Sequence, residues 1–331
     1  MTPSLTLGPV LFNWPVDRWR DFYARIADEA PVDTVILGEI VCFKRAPFFA
    51  TAMDAVVDRL TAAGKTVWLA SPILVGSERE LAAMRDLTAA ADDDEDDAVL
   101  TGATLIEAND MGALARLAGR PHAVGPMINL YNEATLAWLA GRGAVSVSLP
   151  AELPAASVAT LAKAGCDLGV AVEVQVWGRA PLAISARCYH ARAHGLHKDG
   201  CQYVCGNDPD GLPVATMDGQ PFLTVNGTQT LSHGCLCLAA ELEALAAMGV
   251  GRFRLSPHAI DMVRVAEAFR AVLDGRREGR AVAAELDGLI DAPLVNGFFH
   301  DTAGARHVGG TARFQSGKEK PLSQKDKGSM S

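Results

Sequence analysis

Apolar positions along this chain follow two alternating patterns. Short runs rich in Val, Ile and Leu are each followed by a longer stretch in which apolar residues return every three or four positions, the periods of a buried strand and of an amphipathic helix. Residues 5–12 (LTLGPVLF) predict a strand, and 15–30 (PVDRWRDFYARIADEA) a helix with proline at its start. The pair then repeats: strands over 34–39, 66–71, 103–108, 122–130 and 144–149 alternate with helices over 48–63, 78–91, 111–117, 132–140 and 154–163. A seventh strand, 168–177 (LGVAVEVQVW), has no helix behind it.

In place of that helix comes an insertion over about 179–238, containing the segment RCYHARAHGLHKDGCQYVCG at 187–206 and a β-hairpin at 221–232 with Asn226-Gly227 as its turn. A helix at 239–247, an eighth strand at 252–255 (RFRL) and a helix at 261–273 complete the pattern. Eight short strands alternating with helices predict an α/β protein with an all-parallel sheet, closed as a (β/α)8 barrel. An open doubly wound sheet is the alternative, but no G-x-G-x-x-G follows the first strand to mark a dinucleotide site. The expected organisation is one barrel over 1–302 carrying the insertion. The stretch 303–331, polar, rich in Gly, Ser and Lys and without periodicity, is expected to be a disordered tail.

Composition narrows the function more than the fold. A chain of 331 residues buries roughly three quarters of its unfolded surface, so neither a disulfide nor a metal is needed merely to hold it together. Apolar residues make up 49% and charged residues 21%, and the formal net charge of -9 argues against a nucleic-acid groove. The N-terminal stretch has neither the basic region nor the long apolar core of a signal peptide, and no window is long and apolar enough for a membrane span. With an odd number of cysteines, seven, the expected setting is a reducing cytoplasm, where clustered thiols mean metal or redox work.

Cys188, Cys201 and Cys205 are thiols in a segment full of Gly, His and charge, where small buried hydrophobes do not belong. The spacing lets one loop point three sulfurs at a common centre. Cys42, just beyond the second strand, is the candidate fourth ligand: it and the insertion leave the same, C-terminal end of the barrel, where functional groups of this fold collect. A 4Fe-4S cluster tolerates irregular ligand spacing, whereas structural zinc usually takes two short Cys-x-x-Cys knuckles, absent here. Unliganded thiols are the third reading. Cys166 falls at the opposite barrel end and reads as structural; Cys235 and Cys237 read as small apolar residues entering the helix at 239–247.

His190, His194 and His197 fall at i, i+4 and i+7, as on one helix face, with no carboxylate among them in sequence; a partly exposed polar face explains them better than a second metal. Lys44, Arg45 and Arg187 adjoin the candidate ligands, either offsetting the charge of a cluster or forming a solvated rim. Glu39, Glu107, Asn129, Ser148, Glu173 and Gln175 interrupt apolar runs, where an unpaired carboxylate is costly, so some must pair internally or line a pocket. Glu39, beside Cys42, is the first choice for a pocket.

Around Cys42 the string GEIVC-KR, together with SARC, twelve residues, C, three residues, C, resembles the collagenase-like peptidase family, and within it the branch acting in anaerobic ubiquinone biosynthesis. The resemblance covers about residues 5–300. It implies one 4Fe-4S cluster held by Cys42, Cys188, Cys201 and Cys205, a heterodimer with a UbiU-like protein, and O2-independent hydroxylation of a ubiquinone precursor. It names no catalytic residue. Neither G-x-S-x-G nor H-E-x-x-H occurs, so a peptidase is not expected despite the family name. The other readings are a zinc-stabilised, non-catalytic barrel serving as a binding or assembly subunit, and a barrel hydrolase using strand-end carboxylates.

Overall fold

A computed structural model of the chain describes residues 3–89 and 103–309. The acidic run at 92–97 and the segment 310–331 lie outside the described residues. In chain order the elements are β1 (Ser4–Leu7), α1 (Val16–Glu29), β2 (Thr34–Leu37), α2 (Ala46–Ala62), β3 (Thr66–Ala70), α3 (Glu78–Ala89), β4 (Ala103–Ala108), α4 (Met111–Arg116), β5 (His122–Val124), α5 (Glu133–Ala140), β6 (Ala144–Ser148), α6 (Ala155–Leu168) and β7 (Ala171–Ile184). The insertion holds α7 (Tyr189–Ala193), β8 (Leu212–Ala215), β9 (Pro221–Asn226) and β10 (Gln229–Cys237). The chain returns through α8 (Leu242–Ala247), β11 (Arg252–Leu255), α9 (Met262–Leu273), α10 (Gly279–Leu286) and β12 (Leu294–Val295).

β1 to β7 lie side by side in sequence order, and β11 pairs in parallel with both β1 and β7, closing an eight-stranded barrel. The open doubly wound alternative is thereby excluded. β2 (TVIL) is buried at every position, as a parallel strand covered on both faces requires. Outside it, α1 packs Trp19, Tyr23 and Ile26 inward.

The barrel interior is polar at its centre. Arg254 of β11 reaches Glu107 of β4 at 2.6 Å and Glu173 of β7 at 3.0 Å. Arg252, two residues earlier, lies 4.3 Å over the Trp68 ring and donates to Thr6 Oγ1 at 3.0 Å. Two of the strand carboxylates thus pair internally. Gln175 donates to the carbonyls of Gly178 (3.3 Å) and Arg179 (3.1 Å), and Ser148 is buried. Asn129 is not a strand residue at all: it closes a 3-10 turn in the left-handed region (φ 59°), exposed.

β7 runs seven residues past its expected end at Trp177, because Gly178 and Pro181 imitate a stop in sequence. Its second half leaves the barrel and pairs antiparallel with β10, Trp177 opposite Cys237 and Ile184 opposite Gln229, with Pro181 where the register shifts. Gly178, at φ +112°, turns the strand outward with Ser256 so close that an added Cβ would lie 2.6 Å from its Cβ. β10, β9 and β8 continue the sheet as an arm. The hairpin pairs Asn226 with Gln229, so its two turn residues are Gly227 and Thr228, one position later than Asn226-Gly227.

Residues 303–308, at the start of the stretch read as a tail, turn back onto the barrel. Asn296 N donates to the Arg306 carbonyl (3.1 Å), while its side chain accepts from Val308 N (2.7 Å) and donates to Val308 O (3.0 Å).

Candidate functional site

The Cys42 turn begins where β2 leaves the barrel. Gly38 has φ +142°, and a Cβ there would sit 2.7 Å from the Ala70 carbonyl, so only glycine passes so close to β3. Glu39 then folds back over the turn it precedes: one carboxylate oxygen accepts from Val41 N (3.0 Å), Cys42 N (2.9 Å) and Arg45 Nη2 (2.8 Å). Glu39 shapes the turn that presents Cys42. It is not an open pocket carboxylate.

The insertion supplies the other thiols. Cys188 caps α7, its sulfur accepting from Ala191 N at 3.4 Å. Between Cys201 and Cys205 two consecutive non-glycine residues, Gln202 (φ 48°) and Tyr203 (φ 54°), adopt the left-handed conformation and turn the chain sharply. Lys44 joins the two halves by donating to the Lys198 carbonyl (2.8 Å) and Asp199 (2.9 Å). The hairpin tip adds Thr228 Oγ1 to Val41 O (2.9 Å) and Asn226 Nδ2 to Leu11 O (2.7 Å). The arm therefore acts as a strut holding the Cys42 turn against the insertion.

Cys42, Cys188, Cys201 and Cys205 line one cavity with Arg45 and His190. Cys188 and Cys205 are buried, and Cys42 and Cys201 partly so; none is in a disulfide. Among the described residues no three His, Cys, Asp or Glu side chains converge closely enough to hold a single metal ion; the four thiols surround a space instead.

Arg45 is the buried cation of the site. Its side chain is 0% exposed and donates to Glu39 and to Leu11 O (3.1 Å), while its buried Nε and Nη1 have no partner among the described residues. Burial pushes the Cys42 and Cys205 thiols up, opposed in both by Arg45; for Cys205 the neighbouring Cys42 and Cys188 push the same way as burial. Burial also pushes Glu39 up against the pull of Arg45 and two backbone N–H groups. A buried guanidinium with two idle donors beside four thiols is a setting for an anionic occupant.

The other sequence candidates fall elsewhere. Cys166 is exposed on the last turn of α6, at the barrel end remote from the insertion. Cys235 and Cys237 lie on β10, not at a helix head; both are buried, with Cys237 pushed up to about 12 by burial. The three histidines share no helix face, since α7 ends at Ala193. His190 and His194 stack with ring centroids 5.6 Å apart, whereas His197 accepts from Gly200 N (3.1 Å) to cap the next turn. His190 also finds a carboxylate, Asp208 at 2.8 Å, which local spacing could not show. Arg187 is exposed, as a solvated rim would be. Trp14, Asp210 and His258 were not legible as site neighbours: Trp14 Nε1 donates to Pro209 O (2.7 Å), and Asp210 meets His258 Nδ1 at 3.0 Å. These bonds join residues far apart in sequence.

The fold and site together define a (β/α)8 barrel with a thiol-lined cavity at the C-terminal end of its strands. The chain belongs to peptidase family U32, whose model matches residues 17–309. Among solved structures it is similar to an uncharacterised B. cereus protein, at 11% identity and a TM-score of 0.42, covering 81% of this chain and 64% of that one. It is also similar to a Xanthomonas albilineans dihydropteroate synthase, at 18% identity and a TM-score of 0.38, covering 82% of this chain and 94% of that one. This chain thus spans less than two thirds of the B. cereus protein's length.

Proposed function

We propose that this chain, which resembles UbiV, is the 4Fe-4S subunit of an oxygen-independent hydroxylase in ubiquinone biosynthesis and works with a UbiU-like partner. The observation that carries the proposal is the meeting of four thiols from two distant segments around one cavity, beside a buried arginine with two unpaired donors. Four thiols lining one cavity can supply one thiolate to each iron of a cluster, and the Arg45 donors left without a partner among the described residues suit its negative charge.

In this reading Cys42, Cys188, Cys201 and Cys205 hold the cluster, which when bound exchanges single electrons. Arg45 offsets negative charge from the Cys42 side. Ala191 N–H donates to the Cys188 sulfur, and Glu39 keeps the Cys42 turn in shape. The half-buried Cys42 and Cys201 mark the side where solvent reaches the cavity, and a UbiU-like subunit is the cover proposed for it.

Anaerobic purification with iron and sulfide analysis tests the assignment. About four irons per chain with a broad absorption shoulder near roughly 400 nm are expected; colourless protein carrying one zinc overturns it. Co-expression with a UbiU-like protein is expected to yield a one-to-one complex whose iron survives air longer than that of this chain alone. A lone chain with an air-stable cluster and no retained partner overturns the partnership.

A further inference from the structure

Three of the four thiols sit on anchored chain. Cys42 lies in the turn held by Glu39. Cys188 caps α7, whose His190 N donates to the Gly227 carbonyl (3.4 Å) at the hairpin tip. Cys205 is buried, and Asp208, Pro209 and Asp210 just after it are bonded to His190 (2.8 Å), Trp14 (2.7 Å) and His258 (3.0 Å). Cys201 differs. None of residues 192–204 is buried, and among the described residues their hydrogen bonds stay within 188–206 apart from two. Both of those come from Lys44, which donates to the Lys198 carbonyl (2.8 Å) and to Asp199 (2.9 Å). One ring contact runs the same way: Phe48 of α2 meets Tyr203 nearly edge to face, with centroids 4.7 Å apart.

We propose that residues 192–204 form a flap that carries Cys201 and opens independently of the barrel, and that Lys44 and Phe48 are the positioning residues that hold it closed. A segment with no buried side chain and few outward bonds opens at little cost. Its two ends are fixed beside Cys188 and Cys205, so opening lifts Cys201 away and leaves the other three thiols in place. Lys44 and Phe48 both follow Cys42 closely, so the clasp ties the Cys201 side of the cavity directly to the Cys42 side.

The flap gives the four thiols an order. Cys201 is the thiolate that closes over a cluster last and lets go of it first, with the clasp setting how often it does so. That consequence rests on the cluster reading above; the opening of the flap does not.

The test is alkylation of the full-length protein with iodoacetamide, reduced, anaerobic and freed of metal by chelation. Each cysteine is followed by mass spectrometry, with the exposed Cys166 as internal standard. Labelling follows the population of the opened state, so Lys44→Met and Phe48→Ala are each expected to speed Cys201 by about fivefold and leave Cys188 and Cys205 at their wild-type rates. Lys44→Arg keeps donors for both acceptors and is expected to label Cys201 as wild type does. Charge alone acts in the opposite direction: losing a cation beside a thiol disfavours the reactive thiolate, so without a flap Lys44→Met would label Cys201 more slowly. Circular dichroism confirms that each variant is folded. Unchanged or slower Cys201 labelling in Lys44→Met or Phe48→Ala overturns the proposal. So does Lys44→Arg that labels as fast as Lys44→Met, or equal acceleration at Cys188 and Cys205, which would mean that the whole segment loosens. Iron and sulfide content do not enter this labelling, so its failure and failure of the cluster assignment are read separately.

Discussion

Glu39 and Arg45 meet at 2.8 Å with side-chain exposures of 4% and 0%, three residues either side of Cys42. Removing one partner of such a pair strands a buried charge, which costs about 3–5 kcal/mol, whereas removing both costs far less. Arg45→Gln is therefore expected to destabilise the protein by about that amount in denaturant unfolding, and Glu39→Gln/Arg45→Gln to recover most of it. A double variant as unstable as the single one would refute the pairing argument.

Arg45 is also expected to influence whatever the thiols hold. If they hold a cluster, losing a neighbouring positive charge lowers its reduction potential. Arg45→Gln, which removes the positive charge alone, should shift it by about 60 mV to more negative values, a tenfold change for one electron, and the double variant, which removes the Glu39 charge as well, by much less. An anaerobic redox titration of the reconstituted proteins measures it, and an unchanged potential would remove Arg45 from the site's electrostatics.

Alanine at Cys42, Cys188, Cys201 or Cys205 is expected to strip most iron from anaerobically purified protein. Cys166→Ala, on an exposed turn of α6, is expected to leave iron unchanged, as is Cys237→Ala on the buried face of β10. Comparable iron loss in the Cys166 and Cys42 variants would dissolve the assignment.

Acid stability should depend on the barrel interior. Burial pushes the Glu173 carboxyl up, but Arg254 and Arg252 outweigh it and hold the group below its usual range. The unfolded chain then binds the proton more readily, so the contribution of Glu173 is present above the ordinary glutamate value of about 4.3 and is lost as pH falls through the lower folded value. Glu173→Gln is expected to flatten the stability profile in that acidic window. An acid limb with the same slope as wild type, measured by urea unfolding at stepped pH, would contradict this.

Truncation should discriminate sharply between two neighbouring end points. Ending the chain at residue 302 removes the hydrogen bonds from Asn296 to Arg306 and Val308 and should lower the melting temperature by several degrees. Ending it at 309 keeps all three. Equal melting temperatures for the two truncations would show that this return segment contributes nothing.

Local pattern determined much of this protein. Residues such as TVIL at 34–37 are buried on both faces, as in a covered parallel strand, so strand and helix order, and the parallel α/β class, follow from short-range periodicity. The same order placed Cys42 and the Cys188 to Cys205 segment at one barrel end. The tertiary structure alone decided closure through β11 pairing with both β1 and β7, and with it the meeting of Arg254, Glu107 and Glu173 from three strands. It also decided that Arg45 is sealed in while Arg187 stays outside, that β7 continues through Gly178 and Pro181, and that Cys235 and Cys237 sit on a strand. The physical reason is range. Periodicity records which face of an element is buried, whereas the partner of a buried charge, or of a strand leaving its sheet, comes from another part of the chain whose distance in space is set only when the barrel closes.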